Sequence, residues 1–65
     1  MKPEITVLIT VYNGERFLKK TVESVLNQTF KDFELIIVND GSTDSTEEII
    51  KEFMKKDKRI VYIKI

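Results

Sequence analysis

Two short polar segments hold most of the side chains in this 65-residue chain that could do chemistry: Thr10-Val11-Tyr12-Asn13-Gly14 and Asn39-Asp40-Gly41-Ser42-Thr43-Asp44. Brought together, they would offer a carboxylate, an aromatic ring, several hydroxyls and free backbone amides. That set suits a planar heterocycle carried on a sugar, with the ring stacked on Tyr12 and an imide N–H donating to Asp40. Uracil has such a donor, whereas the pairing edge of adenine has only its amino group. Plainer readings stand beside this one. Asp40-Gly41 is also a common turn pair, and Asp-Gly between strands is a strong hairpin signal. Asp44 and Ser42 read as helix caps before they read as ligand contacts, and Asn13 caps first and binds second. Tyr12 could instead cover the end of a core, and Thr10 could serve only as a β-branched strand residue. Asp40 and Asp44 by themselves make a poor metal site.

The flanking sequence must position these segments. Three apolar runs, Ile5 to Val11, Leu35 to Val38 and Ile60 to Ile65, are β-branched and of strand length. The first two lack polar alternation, as expected of strands covered on both faces of a parallel sheet. Between the runs lie two stripes of helical period, one of Leu18, Val22, Val25 and Leu26, the other of Ile49, Ile50, Phe53 and Met54. Asn13 is expected to cap the first helix, and Ser45 with Glu48 to form a capping box on the second. Asp32 and Asp57-Lys58 fall in the turns before the second and third strands. The order strand, helix, strand, helix, strand predicts an α/β fold. It is a parallel three-stranded βαβαβ sheet, order 3-2-1, whose right-handed crossovers put both helices on one face. The other face and the edge of the first strand stay bare, which invites association. Ligands of such sheets bind outside the carboxyl ends of the strands, and neighbouring strands lie about 5 Å apart. Both polar segments therefore line one crevice.

Composition removes several classes of function. The chain has no cysteine and no histidine, which excludes disulfides, thiolate chemistry and a Ser-His pair, and leaves zinc without its usual ligands. Eleven basic and 11 acidic residues give no electrostatic reason to bind nucleic acid or an anionic membrane. No apolar run approaches the roughly 20 residues of a membrane span, and no signal peptide is recognisable, so a cytoplasmic location is expected. Abundant Lys, Glu and Ile fit a heat-adapted source. Neither a Gly-x-Gly-x-x-Gly loop nor a phosphate-binding Gly-x-x-x-x-Gly-Lys-Ser/Thr loop occurs. Asn27-Gln28-Thr29 matches the glycosylation pattern and is read as chance. A unit this short is marginal alone. With Met1 as a natural start, residues 1–65 are read as the incomplete N-terminal part of a larger domain. The alternative is a self-contained nucleotide-binding module that hides its bare face or edge as a homo-oligomer. A receiver-type signalling domain would need acidic residues where Thr10-Val11-Tyr12 stand.

Three blocks carry a resemblance: Ile5 to Asn13 (ITVLITVYN), Glu23 to Phe30 (ESVLNQTF) and Phe33 to Asp44 (FELIIVNDGSTD). In this order and spacing they resemble family 2 glycosyltransferases, from Ile5 to about Tyr62. The resemblance implies an A-type fold in which this chain is the first half of a Rossmann-like nucleotide-sugar-binding domain. It also implies an inverting enzyme that transfers a sugar from a UDP-sugar to an acceptor hydroxyl. In the family the Thr-x-Tyr-Asn segment and the second Asp of an Asp-Asp-Gly-Ser motif hold the nucleoside. By position these are Thr10, Tyr12 and Asp40, with Asn13 and Gly41 completing the set. Asn39 departs from the pattern by replacing the first Asp; little loss is expected because the second position is the one that contacts the base, and a change in how the loop is held stays open. Thr10 stands where many relatives have Pro. The family's Asp-x-Asp segment, which places a divalent Mg or Mn on the diphosphate, lies beyond residue 65 in relatives, as does the catalytic base. This chain is therefore expected to supply no catalytic or metal residue and to be inactive alone. Its parent is expected in the cytoplasm or at the inner face of the membrane.

Overall fold

The computed structural model describes residues 3–29 and 31–65; Met1, Lys2 and Phe30, the last position of the second resembling block, lie outside the described residues. Five elements follow in order: β1 (Ile5–Val11), α1 (Leu18–Leu26), β2 (Phe33–Asn39), α2 (Thr46–Lys56) and β3 (Ile60–Lys64). All pairing is parallel and β2 is central, as the alternating element order requires. The hairpin reading of Asp40-Gly41 is thereby excluded.

Register sorts the sheet into two faces. The rows Val7–Leu35–Ile60 and Ile9–Ile37–Tyr62 face the helices, while Leu8–Ile36–Val61 and Thr10–Val38–Ile63 form the opposite face. Leu35 and Ile37 pack with Leu18 and Val22 of α1 and Ile50 of α2, and all five are fully buried. The opposite face stays open, with Leu8 62% and Ile63 44% exposed. The uninterrupted apolar runs suggested strands covered on both faces. Only one is covered among the described residues, because successive crossovers of the same hand place both helices on one side.

Some boundaries differ from the sequence reading, each for a local reason. β2 extends past its apolar run to include Phe33 and Asn39, both buried. The Arg59 guanidinium lies 4.3 Å from the centre of the Phe33 ring. It is held there by bonds from Nε to Asp57 Oδ1 at 3.0 Å and from a terminal nitrogen to Asp57 Oδ2 at 2.7 Å. β3 ends at Lys64, one residue short of its run. Met54 falls off the helical stripe at 37% exposure, and the fully buried Thr46 joins Ile50 on the inner face instead. Neither expected cap forms. α1 begins at Leu18 behind Phe17, and Ser45 stands at the N-cap of α2, with no side-chain cap bond in either case. Glu47 and Glu48 in the first turn of α2 and Lys55 and Lys56 in the last complement the helix dipole.

Truncating Ile37 to alanine is expected to cost about 2–5 kcal/mol, against roughly 0.5 kcal/mol for Leu8→Ala on the open face. Urea unfolding of the two variants measures the difference, and similar losses would contradict the one-sided core.

Candidate functional site

Both polar segments leave the carboxyl end of a strand at the same rim. Val11 and Asn39 are register partners, so Tyr12 and Asp40 are the next residue of each chain. The Asp40 amide continues the ladder by donating to the Val11 carbonyl at 2.9 Å. Tyr12 is 63% exposed, and Asp40 and Thr10 are exposed as well. Thr10 lies on the open face of the sheet, one residue before the rim. Gly41 follows Asp40 with φ of +72°, a conformation that costs a side-chain-bearing residue strain.

The two loops hold each other through reciprocal bonds. Asn13 is central, in the left-handed region with φ of 50°, which asparagine tolerates better than most residues. Its amide donates to Ser42 Oγ at 2.8 Å, and its Oδ1 accepts from the Thr43 amide at 2.8 Å. Asn13 therefore ties the loops together instead of capping α1. Next to it, the Gly14 amide donates to Thr46 Oγ1 at 2.9 Å and the Glu15 amide to Asp44 Oδ2 at 3.2 Å. In return the Ser45 amide donates to Glu15 Oε1 at 2.8 Å. A Cβ on Gly14 would sit 2.4 Å from Val11 Cγ2 and 2.9 Å from Phe17 Cζ, so no side chain fits. The Gly14 carbonyl accepts from the Phe17 and Leu18 amides and starts the turn into α1.

Asp44 caps α2, as its reading as a cap anticipated: Oδ1 accepts from the Thr46 amide at 2.9 Å and from the Thr46 hydroxyl. Ser42 behaves differently, spending its hydroxyl on the opposite loop. Desolvation pushes the Asp44 carboxyl up, but the bonds from the Thr46 hydroxyl and amide and the Glu15 amide together outweigh it. They hold the group below the usual aspartate range. Sequence reasoning expected free backbone amides at this rim. Those of Asn13, Gly14, Glu15, Ser42, Thr43, Ser45 and Thr46 instead all donate within the protein. The Tyr12 ring, the Asp40 carboxylate and the Thr10 hydroxyl take no part in these bonds, and all three residues are exposed.

Behind the rim lies a set of residues that sequence reasoning did not connect. Asn39, 2% exposed, accepts from the Ser42 amide through Oδ1 at 3.1 Å and donates through Nδ2 to Tyr62 Oη at 3.0 Å. Tyr62 donates in turn to Glu47 Oε2 at 2.8 Å, which also pairs with Lys64 Nζ at 3.4 Å. The Tyr62 bond, helped by Lys51 and Lys64 against desolvation, lowers the Glu47 carboxyl. Desolvation first, and then Glu47, raise the Tyr62 phenol against the opposing bond from Asn39. The available signals were slight: Tyr62 alternates with the buried Ile60, and Asp44 stands two residues before Thr46 as an alternative to the Ser45 capping box.

Two grooves lie elsewhere. One of about 250 Å³ separates the helices, between residues such as Lys19, Glu23, Phe53 and Lys56. The other, about 350 Å³, is at the opposite rim, near Asp32, Phe33 and Arg59. Neither groove includes Tyr12 or Asp40. Among the described residues no group of three or more acidic, His or Cys side chains could hold a metal ion. No helix among them is long and apolar enough to cross a membrane.

Comparison with known proteins agrees with this architecture. The family described as Glycosyl transferase family 2 matches residues 6–65, and the chain belongs to that family. It is 52% identical over 60 residues to glycosyltransferase GlyA of Streptococcus pneumoniae, covering 92% of this chain and 9% of the relative. An uncharacterised glycosyltransferase of Methanocaldococcus jannaschii is 51% identical over 65 residues, covering 97% of this chain and 22% of the relative. The chain thus spans less than a quarter of the length of either relative. Among solved structures, the mannosyltransferase PcManGT from Pyrobaculum calidifontis, in complex with GDP-Man and Mn2+, superposes with a TM-score of 0.85 at 18% identity. The match covers 98% of this chain and 20% of that one. That likeness shows the fold: the Rossmann-like α/β sheet of an A-type glycosyltransferase.

A carboxyl with a lowered folded-state pKa adds stability above its unfolded value, near pH 4, and that stability is lost as pH falls through the folded value. Asp44, Glu47 and Asp57 all have this sign. Urea midpoints between pH 6 and about pH 2.5 are expected to fall with acid, and to fall less steeply in Asp44→Asn. An unchanged slope in the variant would contradict the role given to Asp44.

Proposed function

We propose that this chain forms the nucleoside-holding part of an inverting glycosyltransferase that transfers a sugar from a UDP-sugar to an acceptor hydroxyl in the cytoplasm. The observation that carries the reading is the adjacency of Tyr12 and Asp40 at one strand rim, locked by the Asp40 amide on the Val11 carbonyl at 2.9 Å. The Asp40 carboxylate accepts the imide N–H of uracil, Tyr12 packs on the ring, and Thr10 offers a hydroxyl beside them. Gly41 lets the chain turn away without a side chain, and Asn13 holds the two loops at their spacing. A similarly folded mannosyltransferase holds GDP-Man. Guanine also carries a ring N–H next to a carbonyl, so a guanine nucleotide would use Asp40 in the same way. Adenine has no such donor.

The resemblance implies a divalent metal for the intact enzyme, but the described residues supply no ligand set for it. The roles proposed here are binding and orientation. A second reading, a small module that associates through its bare face, draws on the exposure of Leu8 and Ile63. Sedimentation separates the two: a dimer that Leu8→Glu converts to monomer favours the module, and a wild-type monomer removes it.

UDP titrated into the labelled chain is expected to shift the Tyr12 and Asp40 amides, while ADP leaves them in place. Asp40→Asn and Tyr12→Ala should each weaken UDP about tenfold. Equal responses to UDP and ADP would overturn the assignment, and a preference for GDP would change the donor while keeping the role of Asp40. Given donor and acceptor, the 65-residue chain is expected to transfer no sugar; measurable turnover would show that it holds a complete active site.

A further inference from the structure

We propose that Asn39, Tyr62 and Glu47 form a hydrogen-bond relay of fixed direction that positions the Asp40 loop, with Tyr62 and Glu47 as positioning residues for the nucleoside site. This rests on the reading of Tyr12 and Asp40 as that site.

The direction of the relay follows from counting donors and acceptors. The Ser42 amide can only donate, so the atom of Asn39 that faces it at 3.1 Å must be the carbonyl oxygen. That turns Nδ2 toward Tyr62 Oη, 3.0 Å away, as a donor. The phenol has one proton, and its remaining neighbour, Glu47 Oε2 at 2.8 Å, is a carboxylate that can only accept. Each group therefore has one role. Two other charges reach the relay among the described residues: Lys64 on β3 acts on both Glu47 and Tyr62, and Lys51 on α2 acts on Glu47. Asn39 is 2% exposed and Tyr62 half-buried, so a mismatched partner has little water to turn to.

The relay begins at the loop that carries Asp40. Asn39 Oδ1 closes the turn Asn39-Asp40-Gly41-Ser42 by accepting from Ser42, and its backbone carbonyl accepts from the Ile65 amide at 3.0 Å. Fixing the Asn39 side chain fixes the turn and hence the place of the Asp40 carboxylate. An aspartate at position 39 would meet the relay with the wrong polarity. Two carboxylates would then share one phenolic proton in a site with little water. The asparagine that replaces the family's usual acid is matched in this chain by Glu47 on α2, reached through Tyr62 on β3.

The test uses the 65-residue chain with Asn39→Asp, Glu47→Gln, the double variant and Tyr62→Phe. The readouts are UDP affinity and the Ser42 amide shift between pH 5 and about pH 8. Asn39→Asp is expected to weaken UDP about tenfold at neutral pH, to displace the Ser42 resonance, and to recover on acidification as the new carboxyl gains a proton to donate. In the double variant the polarity reverses: the glutamine amide donates to the phenol and the phenol donates to the new carboxylate. Affinity should return to within about twofold of Glu47→Gln alone, with the pH dependence gone. A residue that only supported the fold would lower stability without this reciprocal rescue. Should Asn39→Asp fail to fold, Tyr62→Phe still decides the matter, because it removes the relay's centre and must displace the Ser42 shift. An Ser42 resonance unmoved in Asn39→Asp or Tyr62→Phe, or a double variant no better than Asn39→Asp, overturns the relay. If the wild type binds no nucleotide, the nucleoside reading falls, and the Ser42 shifts still decide whether the relay exists.

Discussion

The site depends on two loops that hydrogen-bond to each other more than to themselves. A parallel sheet brings successive strand ends to one rim, but it does not fix the chain beyond that rim. Here Asn13 reaches Ser42 and Thr43, Gly14 reaches Thr46, and Glu15 exchanges bonds with Asp44 and Ser45. Each bond joins a backbone amide of one loop to a side chain of the other. Side-chain acceptors from both loops meet loop amides that have no partner in a helix or strand. The clasp does not use the Tyr12 ring, the Asp40 carboxylate or the Thr10 hydroxyl, and all three residues are exposed.

That arrangement changes what the rim can recognise. Open amides favour phosphate, and here the loop amides of Asn13, Gly14, Glu15, Thr43 and Ser45 are spent inside the clasp. Under the proposed function, the exposed Tyr12 ring and the Asp40 carboxylate at this rim take a flat base with an N–H donor. Crowding at Gly14, where an added Cβ would overlap Val11, shows how closely the first loop packs on the end of β1. The second loop depends on backbone freedom instead, through the positive φ of Gly41.

Much of this was legible in the sequence, and the misses share a cause. Strand and helix periodicity reports one-dimensional patterns, so β1, both helical stripes, the parallel order and the common rim of Tyr12 and Asp40 could all be read. Caps were misread because Asn13 and Ser45 fit local rules that other partners override: Thr43, 30 residues on, takes the Asn13 oxygen, and Asp44, next to Ser45, takes the Thr46 amide. The Asn39–Tyr62–Glu47 relay spans three elements with separations of 23 and 15 residues, which no local pattern encodes. The apolar runs alone could not tell one packed face from two, because β-branched strands look alike either way; the crossover argument left one face bare, and that face is open.

Amide hydrogen exchange in Asn13→Gly tests the clasp most directly. Glycine accepts the positive φ at position 13 and removes only the side-chain oxygen that holds Thr43. The account expects the wild-type Gly14, Glu15, Thr43 and Ser45 amides to be protected as a group. In the variant all four should speed up together while Leu35 and Ile37 in the core keep their protection. Fast, independent exchange of those loop amides in the wild type, or a variant in which only Thr43 responds, would contradict it.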